Sequence, residues 1–152
     1  MFSPDGRWLA YASDSSGRWE VYVRPYPGAG PAQRVSIDGG GGPAWHPGGR
    51  ELFFLSEPLE SGATAGGQLR MMVVDFVPGS PPRIGRPRVL FAFDPRELNA
   101  RCSPLRCYDV SRDGDRFYMF QTRSLPPRVT VKHVNLILNW FEELKAKVPA
   151  GK

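Results

Sequence analysis

The chain has 152 residues, 41% hydrophobic and 23% charged, with a formal net charge of +5. That size suits one domain with its own core, and the ordinary balance of apolar and charged residues excludes a disordered or fibrous chain. The 16 arginines and 4 lysines are scattered without a basic run and no apolar run, Leu136-Ile137-Leu138 included, exceeds five residues, so neither a nucleic-acid partner nor a membrane segment is expected in this chain.

Glycine (17) and proline (16) are spread along the sequence, and they punctuate many short segments in the manner of an all-β protein. The first element is a turn, Ser3-Pro4-Asp5-Gly6. Pro4 presets φ for the first central position, and Gly6 takes a positive φ without steric cost. A strand follows it to Ser13, then the loop "SDSSGR", a strand over Trp19–Tyr26 and a short one over Gln33–Ser36. Asp38 to Trp45 is "DGGGGPAW", whose glycines suit a crowded inner strand. A second turn, His46 to Gly49, leads into Glu51–Leu55. After the insert "EPLESGATAGGQ" come strands over Leu69–Val77 and, past a Pro/Arg-rich stretch, Arg88–Phe93. A third turn, Ser111 to Gly114, leads into Arg116–Phe120, and a further strand is expected over Val129–Leu138. The tail reads as a short helix over 140–148. Asn139 caps it with Glu142 three residues on, Pro149 ends it, and Trp140, Phe141 and Leu144 form a face that docks on the last sheet.

These elements repeat. "FSPDGRWLAYAS", "WHPGGRELFFLS" and "VSRDGDRFYMFQ" align, with Gly6, Gly49 and Gly114 in register at intervals of 43 and 65 residues. The strands after the turns are apolar on both faces, so each sheet must be covered on both sides. Four strands in ~40–45 residues is the length of one propeller blade, and radial packing supplies that cover. The expected fold is all-β: a partial β-propeller of about three four-stranded blades in one domain over 1–152. The blades are about 1–37, 38–93 and 106–139, with the C-terminal helix behind them. Almost all of the first blade's innermost strand is missing before Ser3, so the chain is expected to be the end of something longer, or half of a ring.

The pattern FSPDGRWLAYAS…WEVYVRPYP…GGGPAWHPGGRELFFLS resembles the TolB-like, WD40-like (PD40) β-propeller repeat. Together with "YDVSRDGDRF" and "VNLILNWFEEL", it is similar to the C-terminal part of the sensor propeller of bacterial eukaryotic-type serine/threonine protein kinases. The chain carries no kinase motifs: no Gly-rich loop with Val-Ala-Ile-Lys, no His-Arg-Asp and no Asp-Phe-Gly. The resemblance implies a non-catalytic sensor module that binds a protein, a peptide or an envelope ligand, and an extracytoplasmic site if the chain belongs to a membrane kinase. Two alternatives stand beside it. One is an accessory propeller fragment of a prolyl-oligopeptidase-like hydrolase. The other is a structural module whose open edges pair with a second copy, a homodimer that completes a ring.

No catalytic, cofactor or metal residue is assigned. Asp5 and Asp113 read as turn residues, because the second copy has Gly48 in their place. Asp14, Ser16 and Glu20 offer too few oxygens for calcium. "DGGGGP" lacks the lysine ending of a phosphate loop. His46 and His133 stand without a nucleophile elbow. Trp8, Tyr11, Trp19, Tyr22, Tyr26 and Trp45 read first as packing between sheets, and Arg24 is placed at a sheet edge. Cys102 and Cys107 have the spacing to close a hairpin or to stay as two thiols.

Overall fold

The computed structural model describes residues 1–28, 30–56, 67–102 and 105–121 of the chain. The protein is all-β, with no helix among the described residues. The first sheet runs β1 (Trp8–Ser13), β2 (Glu20–Pro25), β3 (Gln33–Arg34) as an antiparallel meander. Ahead of it, Phe2 bridges Leu9. The second sheet runs β4 (Gly41–Trp45), β5 (Glu51–Ser56), β6 (Leu69–Val77). Two strands then pair with successive stretches of β6. They are β7 (Arg83–Ile84), on Val77 and Phe76, and β8 (Arg88–Phe93), on Val73 to Leu69. The strands expected over Leu69–Val77 and Arg88–Phe93 form over those residues. The expected strand 129–138 and helix 140–148, with Trp140, Phe141, Leu144 and His133, lie outside the described residues.

The third sheet joins β12 (Tyr108–Val110) and β9 (Leu98–Asn99) to β13 (Phe117–Gln121). Leu98 and Asn99 precede the span expected for the third unit. Their pairing has a simple cause. Met119 pairs with Tyr108, and the next residue, Phe120, pairs with Asn99. Between them in sequence, β10 (Arg101–Cys102) and β11 (Leu105–Arg106) pair as a separate two-stranded ribbon. The Cys107 N–H donates to the Ala100 carbonyl at its base (3.1 Å). Cys107 is disulfide-bonded, and the chain's other cysteine is Cys102.

The three sheets are stacked face to face, with the second in the middle. In β5 the residues Leu52 and Phe54 face the first sheet, where they meet Trp8, Ala10, Val21, Val23 and Val35. Their neighbours Phe53 and Leu55 face the other way, toward Ala100 and Tyr108. β6 divides in the same manner, with Val74 and Phe76 to one side and Leu69, Met71 and Val73 to the other. Alternation along a strand sends successive side chains to opposite faces, so an unbroken apolar run fills two cores at once. Aromatic edges lock both. Phe76 takes Trp8 and Trp45 in edge-on contact at 5.2 and 4.9 Å, and Phe53 takes Phe117 at 4.9 Å. β4 packs against β1 and β2 on one side and against β11 and β12 on the other. Gly40, just before β4, lies where a Cβ would be 2.9 Å from the Phe54 ring and 3.0 Å from Ser36 Cβ, so a larger residue there pushes into the core.

Phe54 is 1% exposed. Phe54→Ala is expected to cost about 3–5 kcal/mol, read as a lower urea midpoint at unchanged slope.

Candidate functional site

The repeated turns share one geometry. The Ser3 N–H donates to the Trp8 carbonyl (2.8 Å), and the Gly6 N–H donates to the Ser3 carbonyl (2.8 Å). In the second copy His46 bonds Glu51 (2.9 Å) and Gly49 bonds His46 (2.8 Å). In the third, Ser111 bonds Arg116 and Gly114 bonds Ser111, both at 2.9 Å. The three glycines have φ of +70°, +69° and +82°, a region where other residues are strained.

The turn carboxylates serve their own loops. Asp5 accepts from the Ser3 hydroxyl (2.5 Å) and from the Arg7 N–H (3.1 Å), while the Trp8 N–H donates to Ser3 Oγ (3.0 Å). Asp113 accepts from the Ser111 hydroxyl and from the Asp115 N–H (3.2 Å), while the Arg116 N–H donates to Ser111 Oγ (3.0 Å). The serine hydroxyl first, and the backbone amide second, hold both carboxyls below the ordinary carboxylate range. In the second copy His46 Nδ1 accepts from the Gly48 N–H (2.8 Å) and replaces the Ser–Asp pair. All three turns are thus fastened by a side-chain acceptor on a loop N–H, which is turn chemistry.

The turns also touch one another. A Cβ on Gly49 would lie 3.7 Å from Pro4 Cδ, and one on Gly114 would lie 1.9 Å from His46 Nε2. They therefore form a row across the stack. The row carries the exposed side chains of Arg7, Arg50, Arg112 and Arg116. Beside its first turn the rings of Phe2 and Tyr26 meet at 4.7 Å, each about half exposed. The Tyr26 N–H donates to the Arg7 carbonyl (2.8 Å) and pins that pair to the turn. This row, with four arginines, of which Arg116 is ion-paired with Asp113 (3.5 Å), and an exposed aromatic pair beside them, is the candidate binding surface.

Two polar nodes hold the stack behind it. Glu20 is fully buried. Its Oε1 takes Arg18 Nε at 2.6 Å, and its Oε2 takes the Ser36 hydroxyl and the Gly39 N–H (3.2 Å). Ser36 Oγ also accepts from the Val21 N–H (2.8 Å). The carboxylate thus ties β2 to the segment that leads into β4. Burial alone raises the Glu20 pKa, but the Ser36 hydroxyl, Arg18 and the Gly39 amide outweigh it and leave the group below its ordinary value. With both oxygens engaged, Glu20 is unavailable to a cation. Asp14 and Ser16 lie exposed in the loop before it, and Ser16 Oγ donates to the Arg18 carbonyl. Among the described residues no three His, Cys, Asp or Glu side chains are placed to hold a metal.

The second node is Arg106. Its Nη1 donates to the Pro43 carbonyl (3.1 Å), its Nε to the Tyr108 carbonyl (2.8 Å) and its Nη2 to Asp109 (3.0 Å). The Tyr108 hydroxyl donates to the Gly42 carbonyl (2.6 Å). Ribbon and third sheet are thereby fixed to β4, and burial raises the Tyr108 pKa well above its ordinary value. Nothing in the residue spacing marks Arg106 or Ser36 for these roles, since each acts on a strand far away in sequence.

The aromatics divide. Trp8 and Trp45 are core, Tyr11 and Tyr22 stack at 5.8 Å on the outer face of the first sheet, and Trp19 and Tyr26 are exposed. Arg24, at the C-terminal end of β2, donates to the Gly28 carbonyl (3.0 Å). No helix among the described residues is long and apolar enough to cross a membrane. No protein-family model matches the chain, and no curated protein matches its sequence.

Gly6→Ala is expected to cost about 1–2 kcal/mol of left-handed strain, because the space around it is open. Gly114→Ala meets the His46 ring as well and is expected to cost more. His46→Ala in the same chain recovers the excess, a coupling measured by a double-mutant cycle in urea. Glu20, with its folded pKa lowered, contributes stability that is complete above its unfolded pKa and is lost as pH falls through the folded value. Glu20→Gln is therefore expected to cost about 1–3 kcal/mol at neutral pH. It is also expected to flatten the fall of the urea midpoint between neutral and acid pH.

Proposed function

We propose that the chain is a non-catalytic recognition module of the TolB-like propeller type, the sensing part of a bacterial membrane serine/threonine kinase, and that it binds a protein or peptide. The observation that carries the reading is the row of turns. Rigid, closely similar loops display Arg7, Arg50, Arg112 and Arg116 beside the Phe2–Tyr26 pair, a surface that suits acidic, aromatic-bearing peptide segments. Arginine and exposed aromatic rings are the side chains that dominate protein recognition. Among the described residues every buried side-chain polar atom has a hydrogen-bond partner. The buried polar groups thus serve the scaffold, while Arg7, Arg50 and Arg112 stand exposed at the turns. The second sheet, a meander covered on both faces, supports a blade assignment. The disulfide at Cys107 fits an oxidising, extracytoplasmic compartment.

Hydrogen exchange tests the reading. Residues 2–7, 46–50 and 111–116 are expected to exchange more slowly in the presence of an acidic peptide pool or a cell-envelope extract. Arg7→Ala with Tyr26→Ala is expected to remove that protection while leaving the unfolding free energy within about 1 kcal/mol. Protection absent with every fraction, or protection confined to another surface, overturns the assignment.

A further inference from the structure

We infer that the second turn is a pH-sensitive joint: protonation of His46 releases the Gly48 amide and lifts the imidazole from the third turn. The same turn is built three times, with two kinds of acceptor. In the first and third copies the acceptors are carboxylates, Asp5 for the Arg7 N–H and Asp113 for the Asp115 N–H. The Ser3 and Ser111 hydroxyls hold those carboxyls below the ordinary carboxylate range. Both therefore remain acceptors from about pH 5 to about pH 8, the range in which imidazoles titrate. The middle copy uses a ring nitrogen, His46 Nδ1, on the Gly48 N–H (2.8 Å). Such a nitrogen accepts only while it is unprotonated, so the one proton of the neutral ring sits on Nε2. Nε2 lies over the third turn, where a Cβ on Gly114 would come within 1.9 Å of it. A second proton has only Nδ1 to occupy, and there it sets one N–H against another. The contact that fastened the ring then repels it, and the ring leaves Gly48 and Gly114 together.

The charged groups around the ring favour the same outcome. Behind it, Phe53 of β5 lies with its ring 6.1 Å from the imidazole. On that side Glu51 and its cross-strand partner Asp75 are both ion-paired with Arg88, at 3.1 and 3.8 Å. The third turn brings Arg112, Asp113, Asp115 and Arg116. Asp113 is engaged by Ser111, by the Asp115 amide and by Arg116, and Asp115 is exposed to water. The first turn, seated on Gly49 through Pro4, brings Asp5, which is held by Ser3, and Arg7. Arg50 completes the set from the second turn itself. The nearby acids are thus engaged or solvated, and four arginines share the sign of an imidazolium. Once the ring has left, the third turn keeps its own Ser111–Asp113 fastening but loses its cover from the second. Acidity then reshapes the row where its second and third turns meet. The device needs no ligand, so it stands or falls separately from peptide recognition by the same row.

Amide shifts and amide exchange of the purified chain, recorded by nuclear magnetic resonance from about pH 8 to about pH 5 with no ligand present, read the outcome. After correction for intrinsic exchange, the Gly48 amide is expected to lose protection by about 3–10-fold, the worth of one such hydrogen bond. Its shift and that of the Gly114 amide are expected to follow the midpoint of the His46 ring signals. The Arg7 amide, on its carboxylate, is expected to stay flat. His46→Asn keeps an acceptor at the Nδ1 position and removes the titration, so its residue-48 amide is expected to be flat as well. His133→Gln, which removes the chain's other imidazole, is expected to behave as the parent. A Gly48 amide that is flat in the parent chain overturns the inference. So does a pH dependence that persists in His46→Asn or vanishes in His133→Gln. If His46→Asn fails to fold, the parent and His133→Gln still decide.

Discussion

Leu52, Phe53, Phe54 and Leu55 follow one another in β5, and all four are buried. Side chains alternate across a strand, so a run of this kind leaves the sheet with no face to give to water. The first sheet must cover Leu52 and Phe54, and the third must cover Phe53 and Leu55. The order of the stack follows, and so does the position of β4, held between β1 and β12. The outer sheets are under a weaker version of the same demand. Their inward residues are Val and Ala in the first and Tyr108 and Phe117 in the third, while their outward residues are tyrosine, arginine and Phe120. The molecule is most apolar in the middle and grades outward.

Directional bonds fix what apolar contact leaves free. Faces of Val, Leu and Phe slide over one another at little cost, whereas Tyr108 donating to Gly42 and Arg106 donating to Pro43 define one position of the third sheet against β4. Glu20 performs the matching task between β2 and the start of the second sheet. A buried carboxylate is unfavourable in isolation and stable here because a guanidinium, a hydroxyl and an amide converge on it. Such groups specify an arrangement more than they add net stability.

Local patterns made much of this readable from the sequence. The three glycine turns, the two-faced strands and the bounds of β6 and β8 depend on residues close together in the chain, and turn chemistry is local by nature. The reading of Asp5 and Asp113 as turn acceptors rested on Gly48 in the second copy, and the structure adds the serine that bonds each. His46 was visible only as an isolated imidazole. Its bond to Gly48 is local, but its place over Gly114 depends on the neighbouring turn, 65 residues further along the chain. The pairing of β9 with β13 was illegible for a related reason: nothing at Leu98 or Asn99 announces that the next eight residues leave the sheet and return. Long-range polar partners such as Arg106 with Pro43 carry no periodic signal.

The excursion of residues 100–107 has a bearing on how such a chain changes over time. β13 reads Tyr108 and Asn99 as adjacent partners, so the sheet registers nothing of the residues between them. Loop closure grows dearer only slowly with length. Segments of other lengths and compositions can be exchanged at this joint while every backbone pairing of the third sheet persists. Ala100 in the core and Arg106 on the Pro43 carbonyl bound the joint, so the freedom to exchange belongs to the residues between them.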